Sequence, residues 1–436
     1  MAKVAVIGAG AMGLAAAYHA LGEGHAVTLY EADTVAGGMA AHFDFDGLSI
    51  ERFYHFVCKA DAPTFALMDE LGVADRMRWR ATSMGYYIDG RHYDWGDPLS
   101  LLAFPRLDPL SKLRYGAQMF LTTRRKRFDD LEHVRARDWF VGGAGQKVYD
   151  LLWRRLLELK FFDDADNISA AWLATRVKRV GTSRRSMMQE ELGYIEGGSQ
   201  TLVDALTRAI EARGGEIRLG APAQEIVSVD GRVAGVRVGG EVHGCDAVLC
   251  TVPTPLVPRL APGLDAATRA RYEAIRNIGV VCVLLKLRKS VTKHFWLNVN
   301  DPRIDIPGLV EFSNLRPAPD TIVYVPYYMP LTHPKFGRDD KAFVDEAFGY
   351  LRLLNPALGD GDLIAAHVGR LRHAQPICEP GFLAKIPKVV TPIHGLQIAD
   401  TCFYYPEDRG VAESVRYGKL MAAAVTRPQV WDAEGR

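Results

Sequence analysis

The chain has 436 residues, 48% of them hydrophobic and 24% charged, and its 53 basic and 52 acidic side chains give a formal net charge of +1. This balance excludes a generally basic nucleic-acid binder, and the apolar fraction excludes a disordered chain. Six cysteines without a C-x-x-C pair or a zinc spacing exclude a disulfide scaffold, predict no metal site and indicate a reducing compartment. We find neither a secretory signal nor about 18 consecutive apolar residues, so a cytoplasmic protein is expected.

The N-terminal residues predict a glycine-rich turn between a buried strand and a helix. Residues 3–7 are an apolar run typical of a parallel strand, Leu14–Gly22 is an alanine-rich helix, and a second strand, His25–Tyr30, ends at an acid. The turn has the spacing G-x-G-x-x-G, with its glycines at Gly8, Gly10 and Gly13. This is the context that dinucleotide binding requires.

Each position of the turn has a physical role in binding a pyrophosphate. Gly8 permits the tight turn, Gly10 lets the backbone approach the phosphates, and Gly13 lets the helix pack closely on the strand. Ala11 and Met12 then present free backbone N–H groups at the positive end of the helix dipole.

A second glycine pair follows the acid at the end of the second strand. Glu31 is expected to accept hydrogen bonds from the adenosine ribose hydroxyls, with Ala32 beside it, and its charge disfavours a 2′-phosphate. Five residues later come Gly37 and Gly38. The combined motif resembles the FAD-binding signature of the flavoproteins that include amine oxidases, protoporphyrinogen oxidase, phytoene desaturases and UDP-galactopyranose mutase. In that group an arginine usually follows the second pair, where this chain has Met39.

The resemblance implies a fold, a domain organisation and a cofactor. The implied fold class is α/β, with a Rossmann-like FAD-binding domain of the glutathione-reductase type and an interleaved α+β substrate domain of the amine-oxidase type. The implied cofactor is non-covalent FAD. We assign residues 1–80, 193–255 and 391–436 to a discontinuous FAD-binding domain. Residues 81–192 are expected to form a mainly helical insert facing substrate or membrane, and residues 256–390 a strand-rich substrate domain.

The later FAD-binding segments contain further residues that the resemblance assigns to the cofactor. In the relatives, the backbone at the position of Ala223 binds the adenine, and an acid such as Asp400 holds a ribityl hydroxyl. The helix that begins after Gly410 would direct its N-terminus at the N1–C2=O edge of the flavin, where negative charge gathers on reduction. The remaining expected cofactor-binding residues are Tyr54, His55, Arg409, Gly410, Val411 and Ala412.

Two side chains are candidates for the proton transfer that accompanies hydride transfer to flavin N5. His55 lies where UDP-galactopyranose mutase has an aromatic–histidine stretch, and its alternative role is packing against the cofactor. Lys160 ends an apolar helix, so burial could lower its pKa, and the alternative is a lysine that extends to solvent. Amine oxidases of this fold place a lysine near N5, and Val283 stands about where it would fall, which disfavours simple amine oxidation. Cavity-lining or packing roles are expected for Tyr327, Tyr328 and His333.

Residues 104–128 carry seven basic residues and one acid, with apolar residues at helical spacing. The apolar positions of this predicted amphipathic helix are Leu110, Leu113, Ala117, Phe120 and Leu121. One interpretation is an ordinary helix with cations at its C-terminus, where the macrodipole favours them. The other is contact with an anionic membrane or a phosphorylated substrate, which would place the protein peripherally at the inner face of a membrane.

The sequence favours an FAD-dependent oxidoreductase (a dehydrogenase, oxidase or desaturase) that transfers a hydride from a C–H group of a small-molecule substrate to flavin N5. Residues 50–56, 295–301 and 405–410 resemble a bacterial subgroup of protoporphyrinogen-oxidase-like proteins associated with polysaccharide or lipid-linked glycan biosynthesis, so glycan- or lipid-linked substrates are included. One alternative is a non-redox mutase acting on a sugar nucleotide, similar to UDP-galactopyranose mutase. A second is a flavin-binding protein without turnover. No nucleic-acid partner is expected, and the oligomeric state is left open.

Overall fold

The computed structural model describes residues 1–433. Its strands are β1 (Lys3–Ile7), β2 (Ala26–Tyr30), β3 (His42–Phe45), β4 (Leu48–Glu51), β5 (Met77–Thr82), β6 (Met84–Ile88), β7 (Arg91–Trp95), β8 (Arg184–Ser186), β9 (Gln189–Ile195), β10 (Glu216–Arg218), β11 (Ala223–Val229), β12 (Arg232–Val238), β13 (Glu241–Gly244), β14 (Ala247–Cys250), β15 (Asn277–Leu287), β16 (Trp296–Asn300), β17 (Gly308–Glu311), β18 (Thr321–Met329), β19 (Leu363–Pro376) and β20 (Leu396–Ile398).

The helices alternate with these strands along the chain. They are α1 (Ala11–Gly22), α2 (Ala62–Glu70), α3 (Pro98–Ala103), α4 (Pro109–Arg124), α5 (Ala136–Gly143), α6 (Gln146–Tyr149), α7 (Arg155–Phe161), α8 (Ala170–Thr182), α9 (Ser199–Ala212), α10 (Val257–Leu260), α11 (Ala266–Glu273), α12 (Asp340–Leu354), α13 (Phe382–Lys385), α14 (Val411–Ala423) and α15 (Val430–Ala433).

A parallel sheet of five strands, in the order β10-β2-β1-β14-β20, lies at the centre of the dinucleotide-binding region. Its strands come from three separate stretches of the chain, and Val4 pairs with Val27 on one side and Ala247 on the other. Helix α1 packs between this sheet, α9 and α14. Its close approach to α14 requires Gly418, because a Cβ there would lie 2.8 Å from the Cβ of Ala15.

A second, larger sheet has seven strands in the order β19-β15-β18-β17-β16-β6-β7. All of its reported pairs are antiparallel except β16 with β6. Side chains alternate across it, so Val281 and Val283 pack in one hydrophobic cluster with α12, whereas Cys282 belongs to a cluster on the opposite face. The expected α/β fold with a second, strand-rich region is therefore observed.

The expectation that residues 81–192 are mainly helical is wrong at its N-terminal end. Residue 81 lies inside β5, which pairs with β9, and the next residues form the β6–β7 hairpin of the seven-stranded sheet. The turn of this hairpin is Asp89-Gly90, and both residues have positive φ. Asp-Gly between strand-like residues is a hairpin signal. The three-part domain division itself stays a prediction.

Helix α6 continues into α7 through a π-helical turn, Asp150–Arg154. Strand β13 completes an antiparallel sheet with β11 and β12. Within residues 1–433, no helix combines the length and the apolar character needed to cross a membrane.

Candidate functional site

A cavity of about 770 Å³ extends from the carboxyl ends of the central parallel strands to the face of the seven-stranded sheet. One part of its wall consists of the two glycine turns and the end of β2, and the opposite part includes side chains of β15, β16 and β18. Ligands of open α/β sheets bind at this edge, outside the carboxyl ends of the strands. The expected cofactor residues in the wall are Gly8, Gly10, Ala11, Met12, Glu31, Ala32, Gly37, Gly38, Met39, Tyr54, His55, Ala223, Asp400, Arg409, Gly410 and Val411.

Gly10 leaves space for a ligand at the first glycine turn. A Cβ at Gly10 would meet no atom within 4 Å, whereas a Cβ at Gly13 would overlap the carbonyl oxygen of Gly8. Gly8 itself has φ of 101°, which side chains rarely adopt. Gly13 is therefore required for packing α1 on β1, while Gly10 is dispensable for packing and opens into the cavity.

The second glycine pair packs directly against the first turn. The N–H of Gly37 donates to the carbonyl of Ala9 at 2.8 Å, and a Cβ at Gly38 would lie 3.1 Å from the Cα of Gly10. Both glycines have positive φ. The two glycine turns are more than twenty residues apart in the sequence. In the structure they form one continuous backbone surface.

Two helix N-termini adjoin the cavity without side-chain caps. Gly10 precedes α1 and Gly410 precedes α14, and neither can offer a capping oxygen from a side chain. Ala412 lies in the first turn of α14, behind the lining residue Val411. The first N–H groups of a helix have no intrahelical acceptor, and the dipole favours an anion there. The two termini suit a pyrophosphate at α1 and an electron-rich group at α14.

Glu31 and Asp400, the two acids assigned to the cofactor, differ in how many hydrogen bonds they accept from the protein. Glu31 accepts hydrogen bonds from the backbone N–H groups of Ala9 at 2.6 Å and Asp33 at 2.9 Å, so it fixes the glycine turn to the end of β2. Each carboxylate oxygen still has a second lone pair for a ribose hydroxyl.

Asp400 is more fully engaged by the protein. It accepts from both the backbone N–H and the hydroxyl of Thr254, at 2.6 and 2.7 Å, and from the N–H of Cys402 at 2.8 Å. A carboxylate offers about four acceptor sites. A ribityl hydroxyl would therefore share Asp400 with these three donors.

The two candidate catalytic residues lie in different places. His55 lines the cavity, its Nδ1 is buried without a hydrogen-bond partner among the described residues, and burial lowers the pKa of its imidazole. Lys160 is outside the cavity wall. Its Nζ lies 5.1 Å from the ring centroids of Trp172 and Tyr328, and burial lowers its pKa well below the usual value.

Tyr327 and Tyr328 lie on opposite faces of β18, and Tyr328 contacts both Lys160 and the cavity. Its side chain lines the cavity, as expected, but Tyr327 points to the other face and packs on Phe343 of α12. His333 is also outside the wall and accepts from the N–H of Lys335. Strand alternation therefore separates Tyr327 from Tyr328, and His333 lies beyond the end of β18.

Strand alternation also corrects the position compared with the amine-oxidase lysine. Val283 faces α12, away from the cavity, and the cavity-facing residues of β15 are Val280 and Cys282. The sequence comparison therefore matched the amine-oxidase lysine to a residue on the wrong face of β15. The strand still presents no lysine to the cavity.

A charged pair in the wall was missed by the sequence analysis. Arg176 of α8 donates to Asp408 at 2.7 Å, and the other oxygen of Asp408 is buried without a partner among the described residues. Burial alone would raise the pKa of Asp408, but Arg176 and neighbouring cations lower it overall. Arg409, which was expected, donates to the carbonyl of Ala374. In the sequence, the only indication of this ion pair is Arg176, a cation on the polar side of α8. Its partner, Asp408, is far away along the chain.

The residues present fit FAD. The open space at Gly10, the joined glycine turns and the two uncapped helix N-termini provide a cradle for an extended dinucleotide. The unpartnered nitrogen of His55 adds a buried polar atom in the same cavity wall, as expected where a ligand completes the hydrogen bonds.

Comparisons with known proteins agree with this fit. The family model described as "Flavin containing amine oxidoreductase" matches residues 13–358. The chain is 26% identical over 319 residues to 15-cis-phytoene desaturase of Synechococcus elongatus, covering 66% of each protein. It is 27% identical over 397 residues to 4,4'-diapophytoene desaturase (4,4'-diaponeurosporene-forming) of Staphylococcus haemolyticus, covering 77% of each.

Solved structures share the fold at low sequence identity. Reduced UDP-galactopyranose mutase superposes with a TM-score of 0.73 at 15% identity, over 99% of this chain and 98% of that one. Cyclohexylamine oxidase of Brevibacterium oxydans gives a TM-score of 0.70 at 16% identity, over 98% and 99% of the two chains. The expected fold class and FAD cofactor are confirmed. Because the family model covers most of its length, the chain belongs to the flavin-containing amine oxidoreductases.

Proposed function

We propose that this protein is an FAD-dependent oxidoreductase that removes a hydride from a C–H group of a small-molecule substrate held against the seven-stranded sheet. The observation that carries the proposal is the single cavity that joins the glycine turns to that sheet. FAD, when bound, supplies the hydride acceptor. The protein then has to hold the cofactor, orient the substrate, exclude water and accept a proton.

The cofactor would be held along the wall of the central sheet. The uncapped N–H groups after Gly10 would bind the pyrophosphate, Glu31 the adenosine ribose, and the backbone at Ala223 the adenine. Gly410 and the first turn of α14 would receive the electron-rich edge of the ring system.

The substrate end of the cavity is largely aromatic. Tyr54 packs edge-on against Trp296 and Tyr324, with ring centroids 5.7 and 5.6 Å away. Tyr54, Trp296 and Tyr328 all line the cavity. Such fixed rings exclude water and suit a planar or unsaturated apolar group, with Arg176 and Arg409 at the polar side.

We assign proton acceptance to His55 rather than Lys160. His55 lines the cavity and its lowered pKa keeps the imidazole neutral at neutral pH, so an unprotonated nitrogen is available. Lys160 contacts Tyr328 but does not reach the cavity, so its proposed role is to position that ring.

Oxidation of a CH–CH or CH–OH group is favoured over simple amine oxidation, in which the hydride leaves the carbon beside the nitrogen. No lysine of β15 faces the cavity, and the wall there consists of Val280 and Cys282. Two relatives are named as desaturases of phytoene and diapophytoene, and the substrate end of this cavity is largely aromatic. We therefore propose an apolar or lipid-linked substrate, and glycan-linked compounds remain within the proposed class.

The test is anaerobic mixing of the FAD-loaded protein with candidate substrates, followed by flavin absorbance. Bleaching that recovers in air supports the proposal. His55→Gln should slow bleaching about 10²-fold or more, measured per bound FAD, because a general base contributes about 10²–10⁴-fold. His333→Gln, outside the cavity, is the matched control. Turnover only after dithionite reduction, without net redox change, would instead indicate a mutase.

A further inference from the structure

Helix α4 is packed with its polar side inward. Its buried residues are Tyr115, Gln118 and Thr122. The apolar residues that recur along the helix are exposed, with Leu113 at 70% and Leu121 at 63% of full exposure. Helices of globular proteins normally bury the apolar stripe, so the arrangement is reversed.

Hydrogen bonds fix this rotation of the helix. Gln118 Nε2 donates to the carbonyl of Trp139 at 3.0 Å, and Arg114 Nε donates to the carbonyl of Gly143 at 3.0 Å. Turning the leucines inward would break both hydrogen bonds to the carbonyls of α5. The exposed apolar stripe is therefore a stable feature of the fold.

Helix α3 extends the exposed apolar surface. Leu99 and Leu102 are exposed, and Lys112 of α4 donates to the carbonyl of Leu102, which ties the two helices together. We call this surface the leucine face. Its residues are Leu99, Leu102, Leu110, Leu113, Ala117, Phe120 and Leu121.

The unpaired charges at the C-terminal end of α4, beside the leucine face, are positive. Arg124 stacks on Phe120, with its guanidinium carbon 4.1 Å from the ring centroid, and Lys126 follows in the chain. Within residues 1–433, Arg124 and Lys126 form no ion pair with a carboxylate. The neighbouring cations Arg125 and Arg127 are paired with Asp130 and Asp129.

We propose that the leucine face docks on an anionic lipid bilayer, with its leucines in the headgroup–acyl boundary and the free cations at the lipid phosphates. An apolar stripe edged by unpaired Lys and Arg is the combination that binds such interfaces. A second copy of the chain is disfavoured as the occupant, because the cations would then be brought towards one another.

The docking surface lies one helix away from the cavity. Helix α4 packs on α8, and Lys178 of α8 donates to the carbonyl of Arg125 at 2.7 Å. Arg176 and Arg179 of the same helix line the cavity. A lipid-soluble substrate would thus be collected next to the site, although membrane docking itself does not depend on the proposed function.

The test is sedimentation of the full-length protein with vesicles of phosphatidylcholine alone or mixed with phosphatidylglycerol, at low and high salt. Wild type should sediment with the anionic vesicles and be released by salt. The double variant Leu113→Ser/Leu121→Ser should lose binding. Arg124→Gln/Lys126→Gln should bind about 30-fold more weakly, since each cation near the surface contributes about 1 kcal/mol. The matched control, Leu219→Ser/Leu383→Ser, changes exposed leucines elsewhere and should bind like wild type.

Several results would overturn the proposal. One is that the wild type does not bind anionic vesicles at low salt. Another is that the control variant loses as much vesicle binding as Leu113→Ser/Leu121→Ser. Self-association that Leu113→Ser/Leu121→Ser abolishes, without vesicle binding, would assign the face to a second copy instead. Unchanged thermal unfolding of the variants establishes that they are folded, and FAD content and flavin bleaching report separately on the proposed function.

Discussion

Helices α1 and α4 show opposite relations between sequence pattern and burial. In α1, Leu14 and the alanines beside it are fully buried between the central sheet, α9 and α14. In α4, the leucines are exposed and Gln118 and Thr122 are buried. The comparison teaches that apolar periodicity identifies a stripe, but the partners of a helix decide which side faces inward. The carbonyls of Trp139 and Gly143 on α5 accept hydrogen bonds from the polar side of α4.

The largest expected effect is the difference in stability between a glycine-to-alanine change in α1 and one in α4. Gly13→Ala should destabilise the protein by more than about 5 kcal/mol or prevent folding, because its Cβ would overlap the carbonyl oxygen of Gly8. Gly116→Ala in α4 should be neutral or stabilise by up to about 1 kcal/mol, because only Leu101 lies near, at 3.4 Å. Denaturant unfolding measures both. Equal stability of the two variants would break the comparison.

The next largest effect compares the stability lost when a leucine of α1 and a leucine of α4 are each changed to alanine. Leu14→Ala should lower the free energy of unfolding by about 2–5 kcal/mol, because it leaves a cavity in a closed core. Leu113→Ala should change it by less than about 0.5 kcal/mol, because the side chain is exposed. A large loss for Leu113→Ala would show that the leucine face is covered by protein.

The smallest of these effects concerns pH. Burial lowers the pKa of His19 in α1 to about 4, against about 6.5 in the unfolded chain. The unfolded state therefore binds a proton that the folded state refuses, so stability is retained above pH 6.5 and is lost as pH falls towards 4. The loss is at most about 3 kcal/mol.

His19→Gln should flatten this part of the stability–pH profile, as measured by denaturant unfolding at several pH values. The exposed His394→Gln is the control and should leave the slope unchanged. An unchanged slope in His19→Gln would contradict the burial of this imidazole. Helix α4 has no histidine, so it adds no comparable dependence.

The parts of the fold that depend on local sequence were predictable. The first strand, its glycine turn and α1 follow from neighbouring residues, because each glycine has a local reason that the structure bears out. The β6–β7 hairpin was also marked locally, by Asp89-Gly90, but was missed because the region was interpreted as helical from its later residues.

The parts that depend on distant contacts were not predictable. Arg176 and Asp408 are 232 residues apart, and nothing near either one indicates the other. Likewise, Val283 and Cys282 are both apolar, so the sequence does not say which faces the cavity; the pairing partners of β15 do. Lys160 contacts Tyr328, 168 residues later in the chain, so nothing near Lys160 indicated that it lies outside the cavity wall.

The central claim is that FAD binds along the joined glycine turns, and titration of Gly10→Val with FAD tests it most directly. Because a Cβ at Gly10 meets no protein atom within 4 Å, the variant should unfold like wild type without cofactor while binding no FAD. Gly349→Val, at an exposed position of α12, is the matched control and should bind normally. Full FAD occupancy in Gly10→Val would contradict the account.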